Sequence, residues 1–160
     1  MNEIKDLEIV ALSTDGGLIA KNPSPIGGTW AFCGVNAKGQ IVLENSGIVL
    51  APPLKLVTNN HTKQIAIVKA LEAMPEGWSG QISSNSKVSL GRVFQGWQEN
   101  NLPPNISART TAALRRLGEV KPISEHSDHC EQLCKLESKK FLADSGKNVM
   151  TGEKCGGVKK

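Results

Sequence analysis

Leu7 to Thr14 (LEIVALST) constrains the fold of this chain more than any other segment. It is apolar and rich in β-branched residues, so it favours a strand, and Asp15-Gly16-Gly17 follows with the chemistry of a tight turn. A strand like this must be covered by partners. Thr29 to Val35 and Gln40 to Leu50 read as two further strands, and the polar turn Asn36-Ala37-Lys38-Gly39 between them predicts an antiparallel hairpin. Pro52-Pro53 then breaks the sheet.

Helical signals take over from there. Asn59 or Asn60 suits an N-cap, and Ile67, Ala70, Leu71 and Met74 recur at helical spacing before Pro75. Gln81 to Ser84 reads as a short strand. Ser86 to Gln98, Ala108 to Leu117 and Asp128 to Ala143 read as three more helices. The order β-β-β-α-β-α followed by α-α predicts an α/β fold, a mixed sheet flanked by helices. The predicted domain covers residues 1–143. Residues 144–160 (DSGKNVMTGEKCGGVKK), Gly- and Lys-rich with no apolar period, predict a flexible tail.

Composition narrows the partners only a little. The chain has 160 residues, enough for one domain. A net charge of +4 tolerates a polyanion without demanding one. No stretch is long and apolar enough for a membrane helix, and Met1 to Glu8 lacks the basic-then-apolar pattern of a secretory signal. Cys33, Cys130, Cys134 and Cys155 show no disulfide-framework spacing, so reduced thiols and a cytoplasmic setting are expected. The chain is expected to be a monomer.

Four short motifs point further. Ser13-Thr14-Asp15-Gly16-Gly17, then Asn22-Pro23-Ser24-Pro25-Ile26-Gly27-Gly28-Thr29-Trp30-Ala31, then Thr58-Asn59-Asn60, then Ser84-Asn85-Ser86 occur in order over residues 7–98. In this register they resemble the ribonuclease H family: its first catalytic motif, its NPGPGGYGA loop and second strand, its TNN helix start and its T-D-S segment. Cys130-Glu131-Gln132-Leu133 is similar to the C-D-E-L of that family's last helix. The resemblance implies a ribonuclease H-like fold and the cutting of RNA in RNA–DNA hybrids with two Mg²⁺ ions. It also implies hybrid-binding roles for Gly16, Asn22, Asn59 and Asn60. The stretch from Pro103 to Ser127 is short and poor in β pattern, so the family's fifth strand and histidine loop are expected to be absent or altered.

The four metal-holding carboxylates of the family map onto Asp15, Lys63, Asn85 and Glu131. Asp15 and Glu131 keep a carboxylate and remain candidate catalytic residues and metal ligands. Lys63 and Asn85 do not. The formal charge of the four positions falls from about −4 to about −1, too little to offset two divalent ions. Lys63, Ile67, Ala70 and Met74 share a helical line, which aims Lys63 at the sheet, where an ammonium needs a partner. Asp15 is the predicted one. The resemblance with these replacements implies a protein that binds a hybrid or related duplex with hydrolysis impaired or lost. The alternatives are an active Mg²⁺-dependent ribonuclease H that recruits Glu44 or Asp128, and a non-catalytic interaction scaffold.

His126, His129, Cys130 and Cys134 lie close enough in sequence to suggest zinc. Cys130, Cys134, Glu137 and Phe141 also form an ordinary core-facing helical stripe, and that is the expected role. Lys87, Arg92, Arg109, Arg115 and Arg116 are read as solvated helix faces.

Overall fold

A computed structural model describes residues 2–20, 24–50, 57–95 and 105–152. After a short helix α1 (Asn2–Asp6) come β1 (Ile9–Leu18), β2 (Gly27–Asn36) and β3 (Ile41–Leu50). Then follow α2 (Asn59–Ala73), β4 (Gly80–Ser84), α3 (Lys87–Phe94), α4 (Asn105–Arg116), β5 (Val120–Ser124) and α5 (Asp128–Gly152). The strands form one mixed sheet in the order β3-β2-β1-β4-β5. β1, β2 and β3 pair antiparallel, while β1, β4 and β5 run parallel.

Period-2 alternation in β2 builds both layers. Trp30 and Phe32 join the larger core beneath α2, whereas Ala31 and Cys33 join a smaller cluster with Cys130 and Cys134 of α5. The expected α2 stripe is correct: Ile67, Ala70, Leu71 and Met74 are all buried, each of the larger ones contributing about 2 kcal/mol of transfer free energy. Its cap differs from the expectation. Thr58 holds the N-cap position and its hydroxyl accepts from the His61 amide, so Asn59 and Asn60 fall inside the first turn.

Asp15-Gly16-Gly17 is not a turn. β1 continues through it, with Asp15, Gly16 and Gly17 opposite Ala31, Trp30 and Thr29. The glycines serve close approach instead. A Cβ on Gly16 would lie 2.6 Å from the Thr62 carbonyl carbon, and one on Gly28 would lie 2.3 Å from Thr62 Cγ2. The first turn of α2 therefore rests directly on β1 and β2.

The fifth strand, expected to be absent or altered, is present. β5 pairs with β4 in parallel along its whole length. It is short, mostly exposed and carries Pro122 at the sheet edge, the one place where a proline costs no ladder hydrogen bond. Two other boundaries differ. α3 ends at Phe94, and residues 96–104, which include the predicted helix end at Gln98, lie outside the described residues. α5 runs to Gly152, beyond the predicted boundary at 143, and residues 153–160 lie outside the described residues.

Candidate functional site

Parallel pairing of β1, β4 and β5 sends their C-terminal ends to one edge of the sheet. That edge carries Asp15 on β1, Asn85 just after β4 and His126 just after β5, while the N-terminal ends of α2 and α5 add Lys63 and Glu131. All five line one cleft of about 520 Å³. The four positions chosen by motif thus come together, and a fifth, His126, joins them. Sequence reasoning missed His126 as part of this site because the strand that delivers it lacks an apolar pattern. Its nearest legible signal is the H-x-D start of a helix whose fourth residue is Glu131.

Asp15 is buried, and its Oδ1 accepts from the Gly16 amide at 2.8 Å. Lys63 Nζ lies 3.3 Å from the same Oδ1, forming the expected ion pair. It also donates to Asn85 Oδ1 at 2.8 Å. An ammonium only donates, so it fixes the amide with its oxygen toward Lys63 and its NH₂ toward His126 Nδ1, 3.1 Å away. Nδ1 is then the acceptor and Nε2 carries the proton. Nε2 lies 3.1 Å from Glu131 Oε1 and 3.2 Å from Asp128 Oδ1. Lys135 Nζ approaches the other Glu131 oxygen at 3.5 Å. His126 first, and Lys135 with it, hold the Glu131 carboxyl below the usual range.

The result is a directed hydrogen-bond chain from Lys63 through Asn85 and His126 to Glu131. This donor set does not suit a pair of Mg²⁺ ions. An ammonium stands against Asp15, an amide replaces a second anion, and Glu131 is already shared by an imidazole and another lysine. Among the described residues, His126, Asp128 and Glu131 are the one group of three ligand atoms within 4.8 Å of each other. Metal there would need the Nε2 lone pair, and the Asn85 amide facing Nδ1 favours the opposite tautomer.

The other candidates scatter. Asn60 Oδ1 accepts from Ser86 Oγ at 2.8 Å, tying α2 to the cap of α3. Asn59 gives its carbonyl to Thr62 Oγ1, and Gly16 lines the cleft. Asn22 lies outside the described residues. Glu44 is taken by His129 at 2.6 Å and does not line the cleft. The suggested zinc group comes apart, because His126 faces Asn85, His129 faces Glu44, and Cys130 and Cys134 turn inward. Cys130 Sγ sits 3.9 Å from Cys33 Sγ; this bond and burial together push the Cys130 thiol far up, while the same bond, against burial, draws Cys33 down to about 7. Burial pushes Cys134 up to about 11. Of the five cations, Arg109 forms a two-pronged pair with Glu72, and Arg116 donates to the last carbonyls of α2.

No family model matches the chain, and no curated protein matches it in sequence. Solved structures do. The chain is similar to LC11 ribonuclease H1 in complex with an RNA/DNA hybrid, at 19% identity and a TM-score of 0.66, covering 82% of this chain and 98% of that one. It is similar to the N-terminal ribonuclease H domain of Rv2228c from Mycobacterium tuberculosis, at 12% identity and 0.64, covering 85% and 99%. Ribonuclease H1 from the halophilic archaeon Halobacterium salinarum matches at 18% and 0.61, covering 84% and 98%.

The fold is that of ribonuclease H. The ribonuclease H-like sheet accounts for the place of the cleft, since a mixed sheet opens its binding crevice beyond the carboxyl ends of its parallel strands. Among the described residues no helix is long and apolar enough to cross a membrane.

Proposed function

We propose that this ribonuclease H-like chain binds an RNA–DNA hybrid, or a duplex of similar shape, and does not hydrolyse it with Mg²⁺. One observation carries the reading: Lys63 Nζ, which lines the cleft, lies 3.3 Å from Asp15 and 2.8 Å from Asn85. In the resembled family that space belongs to metal and its anionic ligands. Here a fixed monovalent cation meets Asp15, so the carboxylate is already compensated, and the ammonium both repels further cations and fills part of the space they would need. The fold supports the choice of ligand, because a similar structure holds a hybrid. A-like duplexes are recognised through shape, phosphates and 2′-hydroxyls.

The test uses the purified chain with a labelled hybrid, in Mg²⁺ and separately in Mn²⁺. Salt-sensitive binding without cleavage supports the proposal. Cleavage at a rate that follows the protein through purification refutes it, and absence of binding leaves the interaction scaffold.

A second reading has one observation in its favour. Asp128 lies beside His126 and Glu131, so a metal-dependent nuclease could assemble at the rim of the cleft. Of the two recruits expected from sequence, Glu44 is engaged elsewhere and Asp128 alone is placed for it. Manganese-specific cleavage abolished by Asp128→Asn would favour this reading.

A further inference from the structure

Lys63 has more hydrogen-bonding capacity than its protein partners use. An ammonium carries three N–H donors. Among the described residues two are taken, by Asp15 Oδ1 and Asn85 Oδ1. The side chain is 17% exposed and forms part of the cleft wall, so the third donor has open space to address. The charge of that space has also changed sign. The cleft is lined by three ammonium groups, Lys63, Lys135 and Lys139, against two carboxylates, Asp15 and Glu131. Both carboxylates are paired, the first with Lys63 and the second with Lys135 and His126. A cleft of this kind attracts an anion without help.

We propose that Lys63 is itself the backbone contact of the cleft: its third N–H donates to a non-bridging phosphodiester oxygen, so that nucleic acid binds here without a divalent cation. The inference rests on the duplex-binding reading above and deepens it by assigning the atom that meets the phosphate. A phosphodiester fits because its oxygens are monoanionic acceptors, and a lysine binds phosphate as a point charge with freely rotating donors. Asp15 and Asn85 supply the orientation. They hold the ammonium at the floor of the cleft, where an unpaired lysine would otherwise extend into solvent. Four carboxylates in the same positions would repel the phosphate unless metal intervened, whereas the present set does not.

The experiment measures binding of the intact chain to a labelled RNA–DNA hybrid by fluorescence anisotropy, in EDTA and in Mg²⁺ at matched ionic strength. Affinity is expected to agree within about twofold, since no bound metal is required. A scan of single neutral methylphosphonate linkages along the hybrid should then reveal a position that lowers affinity about tenfold, the scale of one charge-assisted hydrogen bond. In Lys63→Gln that position should lose most of its effect, because the two changes remove the same contact. Binding that disappears in EDTA and returns with Mg²⁺ would overturn the inference while leaving duplex binding intact. A methylphosphonate profile unchanged by Lys63→Gln would overturn it as well. No binding under any condition would remove both this inference and the reading beneath it. If Lys63→Gln fails to fold, the metal comparison and the linkage scan on the unaltered chain decide.

Discussion

Introducing two carboxylates by Lys63→Glu together with Asn85→Asp probes the electrostatics of the cleft directly. Asp15 is 4% exposed and its ion partner is Lys63 at 3.3 Å. Removing one member of a buried pair costs about 3–5 kcal/mol, and the partial exposure of Lys63 places this case near the lower end. The new Glu also repels Asp15. Two unit charges 4 Å apart interact by about 4 kcal/mol at an effective dielectric of 20, and relaxation toward the cleft opening reduces that. The metal-free double variant should therefore lose about 3–5 kcal/mol, a large fraction of the roughly 5–15 kcal/mol of a typical domain. Divalent cations should return much of it, because a ligand at 100 times its dissociation constant stabilises by about 2.7 kcal/mol. Urea unfolding with and without Mg²⁺ reads this effect. We expect the midpoint of the variant to rise steeply with Mg²⁺ and that of the unaltered chain to stay nearly constant. Hydrolysis of a labelled hybrid should rise by several orders of magnitude in the variant, provided α5 presents Glu131 to the metal. If the unaltered chain shows the same Mg²⁺ dependence as the variant, the cleft already gathers these ions and the argument from Lys63 fails.

Three further outcomes follow from other parts of the molecule. Gly16→Ala should destabilise by about 1–3 kcal/mol in urea unfolding, because its Cβ would meet the backbone of Thr62 and Lys63 at 2.6 and 2.7 Å with nothing flexible to yield. The hydrogen bond from Arg109 holds Glu72 below its ordinary 4.5; stability from this pair should be fully present above that value and lost as pH falls through the depressed one. Both side chains are about a third exposed, so Glu72→Gln should cost only about 0.5 kcal/mol at pH 7 and nothing near pH 2, as unfolding at the two pH values will show. In imidazole ¹⁵N spectra His126 should carry its proton on Nε2, and Asn85→Asp should place a proton on Nδ1 as well, since carboxylates would then face both nitrogens and can only accept.

Sheet and helices were legible in the sequence where burial imposes a period. β2 alternates between two cores, and α2 carries Ile67, Ala70, Leu71 and Met74 at helical spacing, all buried, so both were recognisable from residue type. The cleft was legible through Asp15, Lys63, Asn85 and Glu131, because short motifs in register picked out four positions that the structure brings together. β5 was not legible. Its five residues VKPIS include a lysine and a proline, and it owes its conformation to the neighbouring β4 rather than to its own propensity. Asp15-Gly16-Gly17 misled for a related reason. Glycine signals a turn in isolation, but here it signals the pressure of a helix against a strand, which only the packed structure expresses.

Lys63 and Asn85 act as one unit in the cleft. With Lys63 in place, a carboxylate at 85 would satisfy the ammonium but offer nothing to the unprotonated Nδ1 of His126, and the imidazole would have to take a second proton or turn a lone pair toward Glu131. An apolar residue at 85 would satisfy neither neighbour. An amide both accepts from Lys63 and donates to His126, and Asn has the length to do so over 2.8 and 3.1 Å. Lys63 in turn gives the amide its orientation, which a second carboxylate at 63 could reverse. The polarity set at Asp15 thus reaches Glu131 through three side chains, Lys63, Asn85 and His126, each with one protonation pattern compatible with the next. Such a network rigidifies this part of the cleft when every member is satisfied, and under the proposed reading it favours an anion there over a pair of divalent cations.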